Sequence, residues 1–351
     1  MKPIPVAVLG ATGAVGQRFI QLLESHPWFE LAAVAASQRS VGRTYAQACV
    51  WRLPTALPRV VERMIVRSLD PQQLHGIDLV FSALPASVAV DVEPAFARAG
   101  KIISSNASAY RFDEDIPLLV PEINAGHTAL IDVQRANRNW PGSLVTNPNC
   151  TTTGIALVLK PLADVFGLQT VMATSMQAVS GAGYPGVASL DAIDNVLCLI
   201  PGEEEKMEKE ARILLGRMEE GCQKEACFGF SAQANRVPVI DGHTICLSLK
   251  LEKSASVDEV QSVLAAFRGD DAARDLPSSP ESPLVVRTEP DRPQPRLDRE
   301  AGGGMQVSVG RIRECPVLDI RLVLVVHNTV RGAAGGSILN SELLVQEGYV
   351  R

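Results

Sequence analysis

The chain has 351 residues, of which 46% are hydrophobic and 21% are charged, with a formal net charge of −6 at pH 7. This length is sufficient for two domains that each bury a core. An acidic chain without a basic run is a poor candidate for a nucleic-acid-binding protein, and no apolar stretch reaches the roughly 18 residues of a membrane span.

The cysteines and the N-terminus indicate the compartment. Seven cysteines are scattered along the chain without a Cys-x-x-Cys pair, which favours free thiols over disulfides or a metal site. The sequence begins with a strand rather than a signal peptide. We therefore expect a cytoplasmic protein that holds no metal.

The first predicted elements are a strand, a glycine-rich turn and a helix, in "IPVAVLGATGAVGQRFIQLLESHP". Glycines let a backbone approach a pyrophosphate, and the free N–H groups of the helix N-terminus bind its charge. The motif predicts a dinucleotide site whose contacts are Gly10, Thr12, Gly13, Ala14 and Val15.

The second strand, in "ELAAVAASQRSVG", bears on the choice of cofactor. NAD-selective sites commonly place a carboxylate at the end of this strand, whereas here the strand leads into Ser37-Gln38-Arg39-Ser40. Ser37, Arg39 and Ser40 suit a 2′-phosphate, so NADP is favoured. Taken alone, Arg39 is equally compatible with an ordinary exposed loop arginine. Further strands, in "DLVFSALP", "KIISSNAS" and "SLVTNP", alternate with helices and predict a parallel, doubly wound sheet.

"SLVTNPNCTTTGIAL" places a cysteine at the start of a helix. Asn149 is a good N-cap, so Cys150 would be the first helical residue. There, free N–H groups would lower the pKa of the thiol and bind an oxyanion. A buried structural cysteine is an equally good interpretation of this pattern alone.

Three later segments supply polar candidates. Gln177 precedes a glycine-rich loop in "SMQAVSGAGYPG". "NRVPVIDGHTICLSLKL" predicts a hairpin turning at Asp241-Gly242, with Ile240 opposite His243 and Arg236 opposite Leu247. That register puts Arg236 and His243 on one face, although a core histidine would give the same pattern. "PGEEEKMEKEARILLGRM" predicts a solvated helix with a Glu205–Lys209 pair.

Seven motifs together resemble those of the aspartate-β-semialdehyde dehydrogenases, in their archaeal and fungal-type branch, over nearly the whole chain. In order along the chain they are "GATGAVGQRF", "NPNCTTTG", "SMQAVSGAGYPG", "GEEEKM", "NRVPVIDGHT", "EPDRPQPRLDR" and "NTVRGAAGGSILNSELL".

The resemblance implies catalytic and substrate-binding roles for individual residues. Cys150 would be the nucleophile, His243 the general acid and base, and Gln177 a residue that positions the substrate. Arg236 would bind the substrate carboxylate and Glu203 the substrate amine.

It also implies the contacts of the two other reactants. Lys206, Asn106 and Arg111 would bind phosphate. Ser180, Gly181 and Asn328 would contact the cofactor, with Asn328 at the nicotinamide end.

The implied reaction is the reversible, NADPH-dependent reduction of aspartyl phosphate to aspartate semialdehyde and phosphate through a cysteine thioester, in lysine, methionine, threonine and isoleucine biosynthesis. The implied architecture is a Rossmann-type nucleotide domain, residues 1–149 with 331–351, and an α+β catalytic and dimerisation domain with a mixed sheet, residues 150–330. The exposed face of that sheet would form the contact between subunits of a homodimer or homotetramer. Composition predicts a mobile linker at residues 275–304, whereas the resemblance favours an ordered segment near the subunit contact.

Three other functions fit parts of this pattern. Malonyl-CoA reductases share much of the sequence of this branch. N-acetyl-glutamyl-phosphate reductases are disfavoured, because "NPNCTTTG" does not resemble their cysteine motif. A catalytically silent NADP-binding scaffold is disfavoured by the joint presence of Cys150, Gln177, Arg236 and His243.

Overall fold

The first part of the chain forms a parallel sheet. The computed structural model describes residues 2–350; residues 1 and 351, the ends of the predicted nucleotide domain, lie outside the described residues. The strands of this sheet are β1 (Ile4–Leu9), β2 (Phe29–Ala35), β3 (Leu79–Ser82), β4 (Ile102–Ser105) and β5 (Ser143–Thr146). All pairings within it are parallel, in the order β2-β1-β3-β4-β5. From the boundary between β1 and β3, the chain continues outward to β2 on one side and to β4 and β5 on the other. Ligands bind at such a boundary in open sheets of this type.

Helices cover both faces of this sheet, which explains why its strands are largely buried. Val6 and Val8 belong to the core on one face, and Ala7 and Leu9 to the core on the other. The helices of this part are α1 (Ala14–Leu23), α2 (Tyr45–Ala48), α3 (Arg59–Glu62), α4 (Ala86–Arg98), α5 (Pro121–Asn124) and α6 (Leu130–Arg138).

A mixed sheet organises most of the remaining chain. Its strands and a small separate ladder are β6 (Leu168–Gln177), β7 (Arg217–Glu219), β8 (Cys222–Lys224), β9 (Gly229–Arg236), β10 (His243–Leu251), β11 (Leu284–Val286), β12 (Val307–Glu314) and β13 (Ile320–Val326). Within the described range the mixed sheet has the order β11-β12-β13-β10-β6-β9, and β7 pairs only with β8. The β11–β12 and β6–β9 pairs are parallel, and the other pairs are antiparallel.

The helices of this second part are α7 (Cys150–Phe166), α8 (Ser189–Ala192), α9 (Glu203–Leu214), α10 (Val257–Ala266), α11 (Asp271–Arg274), α12 (Pro295–Asp298) and α13 (Gly335–Gln346). Helix α7 is buried along most of its length and shares a core with the mixed sheet. A π-helix at Val330–Ala334 leads into α13, whose Ile338 and Leu344 pack into the core of the first sheet. These two packed units confirm the predicted fold class. In residues 2–350 no helix is long and apolar enough to cross a membrane.

The predicted hairpin at Asp241-Gly242 is wrong. Strands β9 and β10 do not pair, because β6 lies between them and bonds to both. The segment between them instead crosses the end of β6, where its carbonyl groups accept hydrogen bonds from the N–H groups of Val179 and Ser180. Gly242 does turn the chain, with φ +96°, but the turn joins strands that are not neighbours.

Two interpretations based on composition are also wrong. Helix α9 is not a solvated helix, since Glu203, Met207 and Glu210 on one of its faces are buried. Residues 275–304 are not a mobile linker, because β11 pairs with β12 and Asp298 is buried in ion pairs with Arg287 and Arg292.

Candidate active site

A cleft of about 820 Å³ lies at the carboxyl ends of the parallel strands, against the mixed-sheet domain. Most of the residues predicted for the site line it: Gly10, Thr12, Gly13, Ala14, Val15, Ser37, Arg39, Asn106, Arg111, Cys150, Gln177, Ser180, Gly181, Glu203, Lys206 and Asn328. Arg236 and His243 lie directly behind its wall, where a side-chain carbon at Gly181 would be 2.7 Å from Arg236 Nη1 and 3.1 Å from His243 Cε1. Ser40 is buried and is not one of the residues that line the cleft.

The glycine turn packs tightly at the boundary between β1 and β3. Gly10 has φ +72°, and a side chain there would collide with the Ala83 carbonyl. At the N-terminus of α1, Gly13 is the N-cap, no side chain caps the helix, and its first turn carries no acidic residue. The turn therefore presents free N–H groups to the cleft, as a pyrophosphate requires.

The end of β2 presents a cationic group without a carboxylate. Ser37 and Arg39 are exposed and line the cleft. Across the opening, the guanidinium of Arg52 lies 3.5 Å from the ring centroid of Tyr184, a contact that the sequence did not indicate. Ser40 instead donates its backbone N–H to the Ser37 carbonyl at 2.8 Å and shapes the turn.

Cys150 and His243 form a contact pair. The Asn149 side chain caps α7 by accepting the N–H groups of Thr151 and Thr152 at 2.9 and 3.3 Å, so the helix begins at Cys150 as predicted. Cys150 Sγ lies 3.1 Å from His243 Nε2. His243 Nδ1 accepts the Ala178 N–H at 3.0 Å, and a neutral ring therefore carries its proton on Nε2, facing the sulfur.

The predicted lowering of the cysteine pKa is wrong. Burial raises the pKa of Cys150 to about 12, and the charge of Glu203 adds to the effect. Burial lowers the pKa of His243 to about 3, and the charge of Arg236 adds to that shift. Desolvation thus outweighs the helix N-terminus, and the pair rests as a thiol and a neutral imidazole.

Strand register brings Arg236, Gln177 and His243 into one row. Arg236 on β9 is opposite Gln177 on β6, and His243 is one residue before Thr244, which is opposite Met176. Adjacent positions in a row point to the same side of a sheet. Arg236 Nη1 also donates to the carbonyl of Ala178 at 2.9 Å, and the N–H of the same residue donates to His243 Nδ1. The predicted proximity of Arg236 and His243 is therefore present, for a different reason.

Glu203 organises the side of the site next to α7. Its carboxylate accepts from Asn149 Nδ2 at 2.8 Å, Gln177 Nε2 at 3.2 Å and Lys206 Nζ at 3.0 Å. Burial by itself would raise the pKa of Glu203, but the charge of Lys206 and these hydrogen bonds lower it overall. A carboxylate thus faces the cleft next to the nucleophile candidate.

Arg111 is a further cationic group of the cleft, beside Arg39 and Lys206. Its Nη2 donates to the Asn106 carbonyl at 2.8 Å and its Nη1 to Glu210 at 2.9 Å. Its Nε is buried without a hydrogen-bond partner among the described residues. Arg111 itself lines the cleft, held there by Glu210 and the Asn106 carbonyl.

Asn328 connects two predicted cofactor contacts. Its Nδ2 donates to Ser180 Oγ at 2.8 Å, and its Oδ1 accepts the Gly242 N–H at 2.9 Å. The glycine-rich loop is thereby tied to the turn that precedes His243.

Sequence reasoning missed several residues behind the site. Gly332 packs so closely that a side-chain carbon would lie 2.6 Å from Cys150 Cβ. Its neighbour Arg331 forms a buried bidentate pair with Glu122, with both distances 2.7 Å. Glu210, seven residues after Glu203, could have been found from helical spacing, because both lie on one face of α9. Arg331 and Glu122 are 209 residues apart, and no local pattern connects them.

Comparison with known proteins identifies the family. Residues 5–131 match the family model described as semialdehyde dehydrogenase, NAD binding domain, and residues 159–331 match the one described as semialdehyde dehydrogenase, dimerisation domain. An aspartate-semialdehyde dehydrogenase of Archaeoglobus fulgidus is 50% identical over 342 residues, covering 97% of this chain and 98% of that protein. A malonyl CoA reductase (NADP) of Metallosphaera sedula is 38% identical, with 99% of each chain covered.

A solved structure agrees with these sequence matches. The crystal structure of aspartate semialdehyde dehydrogenase with NADP from Candida albicans superimposes with a TM-score of 0.91 at 40% identity, covering 99% of this chain and 100% of that one. The predicted family resemblance is confirmed. The chain belongs to the semialdehyde dehydrogenase family.

Proposed function

We propose that the chain is an NADP-dependent aspartate-semialdehyde dehydrogenase that interconverts aspartyl phosphate and aspartate semialdehyde. The observation that carries the proposal is the 3.1 Å contact between Cys150 Sγ and His243 Nε2, beside a cleft that also holds Arg111 and Lys206. A thiol, a ring N–H and cationic groups at one place suit acyl transfer between sulfur and phosphate. The relatives named aspartate-semialdehyde dehydrogenase support the same substrate.

The cleft residues fit NADP. The glycine turn ends at the uncapped N-terminus of α1, which offers free N–H groups to the pyrophosphate. Ser37 and Arg39 offer a hydroxyl and a guanidinium to a 2′-phosphate, and Asn328 and Ser180 lie toward the nucleophile end. NADP, when bound, accepts the hydride in the oxidative direction and supplies it in the reductive one.

Cys150 performs the covalent step. Its thiol releases a proton to solvent as the sulfur adds to the aldehyde carbon, and the oxygen that gains charge accepts a hydrogen bond from His243 Nε2–H. After the carbon loses a hydride, the adduct is a thioester, which remains reactive. A hydrogen phosphate oxygen then attacks the thioester carbon, the carbon–sulfur bond breaks, the sulfur takes up the phosphate proton, and aspartyl phosphate leaves. Biosynthesis runs these steps in reverse.

The remaining side chains bind the substrate groups that do not react. Arg236 is the partner we propose for the α-carboxylate, since a guanidinium binds a carboxylate in two parallel hydrogen bonds. Glu203 is the partner we propose for the ammonium group. Gln177 lies between Arg236 and Glu203, because it is opposite Arg236 in the sheet and donates to the Glu203 carboxylate. Arg111, Lys206 and Asn106 bind the phosphate.

A malonyl-CoA reductase is the second candidate, because such an enzyme is 38% identical over almost the whole chain. The two activities share the cysteine chemistry and differ in the acyl acceptor, inorganic phosphate or coenzyme A. Arg111 and Lys206 line the cleft with Cys150, and these two cationic groups favour a compact oxyanion near the nucleophile.

The deciding experiment follows NADPH absorbance with aspartate semialdehyde and NADP⁺, with and without inorganic phosphate. We expect NADPH formation that depends on phosphate and that is lost in Cys150→Ala, while that variant still binds NADPH by fluorescence titration. Turnover that requires coenzyme A instead would favour the second candidate. Measurable turnover by Cys150→Ala would exclude the thioester route.

We also propose the larger organisation. The nucleotide domain comprises residues 1–149 and 331–351, and the catalytic domain residues 150–330, supported by the packing of α13 against the first sheet. A homodimer or homotetramer is supported by the dimerisation model matched over residues 159–331. A cytoplasmic location remains a prediction; the structure pairs none of the seven cysteines, all of which lie in the described range.

A further inference from the structure

Glu210 is a fully buried carboxylate that the proposed chemistry does not use. Its side chain has no solvent exposure, and a buried charge is costly unless each of its oxygens is paired. Oε1 accepts from Arg111 Nη1 at 2.9 Å, and Oε2 accepts from the backbone N–H of Asn149 at 2.5 Å. One side chain therefore holds both a cationic group of the cleft and the residue before Cys150.

The contact with Arg111 fixes the orientation of its guanidinium. Arg111 follows β4 and so comes from the nucleotide-binding part of the chain, whereas Glu210 is on α9. Nη1 is held by Glu210 and Nη2 by the Asn106 carbonyl, while Nε has no partner among the described residues. Because the guanidinium is planar, fixing two nitrogens also fixes the direction of the third N–H.

The contact with Asn149 fixes the turn that precedes the nucleophile. Glu203 accepts from the side-chain amide of Asn149 at 2.8 Å, while Glu210 accepts from its backbone N–H. The Asn149 Oδ1 is then free to cap α7 at Thr151 and Thr152. Two carboxylates, two helical turns apart on α9, thus grip the residue next to Cys150.

We propose that Glu210 is a positioning residue that couples the phosphate-binding guanidinium of Arg111 to the turn carrying Cys150. The oxyanion that Arg111 binds must meet a carbon attached to the Cys150 sulfur, so the two groups need one fixed separation. Small misplacements of reacting groups reduce rates steeply. Glu210 supplies that separation across the two domains, and this role rests on the proposed function.

A purely structural role predicts a different result. If Glu210 only held α9 against α7, its replacement would lower thermal stability and reduce the apparent kcat through the folded fraction, while the KM for phosphate and the KM for NADP⁺ would both stay unchanged. A positioning role instead changes the KM for phosphate and kcat while sparing the KM for NADP⁺, whose proposed site is at the other end of the cleft.

The test uses Glu210→Gln, with Glu205→Gln as the matched control on the exposed side of the same helix. Glutamine keeps the shape and one acceptor oxygen, but its NH₂ group must face either Arg111 or the Asn149 N–H, both donors. In the phosphate-dependent assay we expect Glu210→Gln to raise the KM for inorganic phosphate at least tenfold and to lower kcat about tenfold. The KM for NADP⁺ should change less than twofold, and Glu205→Gln should match the wild type within twofold.

Glu210→Asp provides a second variant in case the glutamine variant does not fold. It keeps the charge but shortens the side chain by one carbon, so we expect the KM for phosphate to rise at least threefold. A folded variant of either kind with a phosphate KM within twofold of the wild type would overturn the proposal for Glu210. A wild-type protein whose activity does not depend on phosphate would instead overturn the proposed function, and the role of Glu210 with it.

Discussion

At the scale of single residues, the chemistry depends on how His243 is held. The Ala178 N–H donates to Nδ1, so the proton of the neutral ring lies on Nε2 and faces Cys150. An imidazolium would place a second N–H against that of Ala178, and burial and the nearby Arg236 already lower the pKa of His243 to about 3. The ring is therefore a neutral hydrogen-bond donor that faces the sulfur and any oxygen that develops next to it.

A buried neutral histidine makes stability depend on pH. The unfolded chain binds a proton at this residue below about pH 6.5, whereas the folded chain does so only near pH 3, so stability is complete above pH 6.5 and is lost as the pH falls. We expect the free energy of unfolding, measured in urea, to fall between pH 7 and pH 5 in the wild type. The fall should exceed that of His243→Gln by about 2 kcal/mol. The exposed His75→Gln should behave as the wild type does, and equal losses in all three proteins would contradict the assignment.

At the scale of elements, two helix starts meet at the nucleophile. Helix α7 begins at Cys150 because Asn149 caps it, and the π-helix Val330–Ala334 lays Gly332 against Cys150 from the other side. A buried bidentate pair between Arg331 and Glu122 anchors that π-helix. The position of the sulfur is thus set by two segments that are far apart in the chain, one at Cys150 and the other at Gly332.

The close approach at Gly332 can be tested by adding one carbon. In Gly332→Ala the new carbon would lie 2.6 Å from Cys150 Cβ and 2.8 Å from Cys150 Cα, so the nucleophile or the π-helix must move. We expect kcat to fall at least tenfold while NADPH binding, measured by fluorescence, changes little. Gly126→Ala is the control, because nothing lies within 4 Å of its added carbon. Equal activity of the two variants would show that Gly332 does not constrain Cys150.

At the scale of the whole molecule, one face of the mixed sheet is exposed along parts of β6 and β10 in the part of the chain that the structure describes. Its inner face packs on α7, whereas Met172 on its outer face is 51% exposed and Cys246, opposite Thr174, is also exposed. Exposed apolar side chains on a flat sheet face are typical of subunit contacts. A second copy of the chain is the partner we propose for this face.

Light scattering after size-exclusion chromatography measures this association. We expect a mass two or four times that of one chain for the wild type. Met172→Lys should shift the mass toward that of a single chain, because a charge would be buried in the contact. Val60→Lys, an exposed position on α3 of the nucleotide-binding part, should not change the mass. A single-chain mass for the wild type at micromolar concentration would rule out the proposed contact.

Local patterns in the sequence determined the elements around the site. The glycine turn before α1, the cap at Asn149 and the start of α7 at Cys150 each follow from a few neighbouring residues. Such features arise from backbone hydrogen bonds within one or two turns of chain, so they can be predicted without knowledge of the fold. The family motifs then indicated which polar side chains belong to the same site.

Only the tertiary structure decided how these parts meet. The insertion of β6 between β9 and β10 replaced the predicted hairpin, yet aligned Arg236, Gln177 and His243 in one row. Burial, which no local pattern reports, raised rather than lowered the pKa of Cys150. Glu210 acquired its contacts with Arg111 and Asn149 for the same reason. Strand order and desolvation are set by segments distant in the chain, because each depends on what packs against a residue and not on its neighbours in sequence.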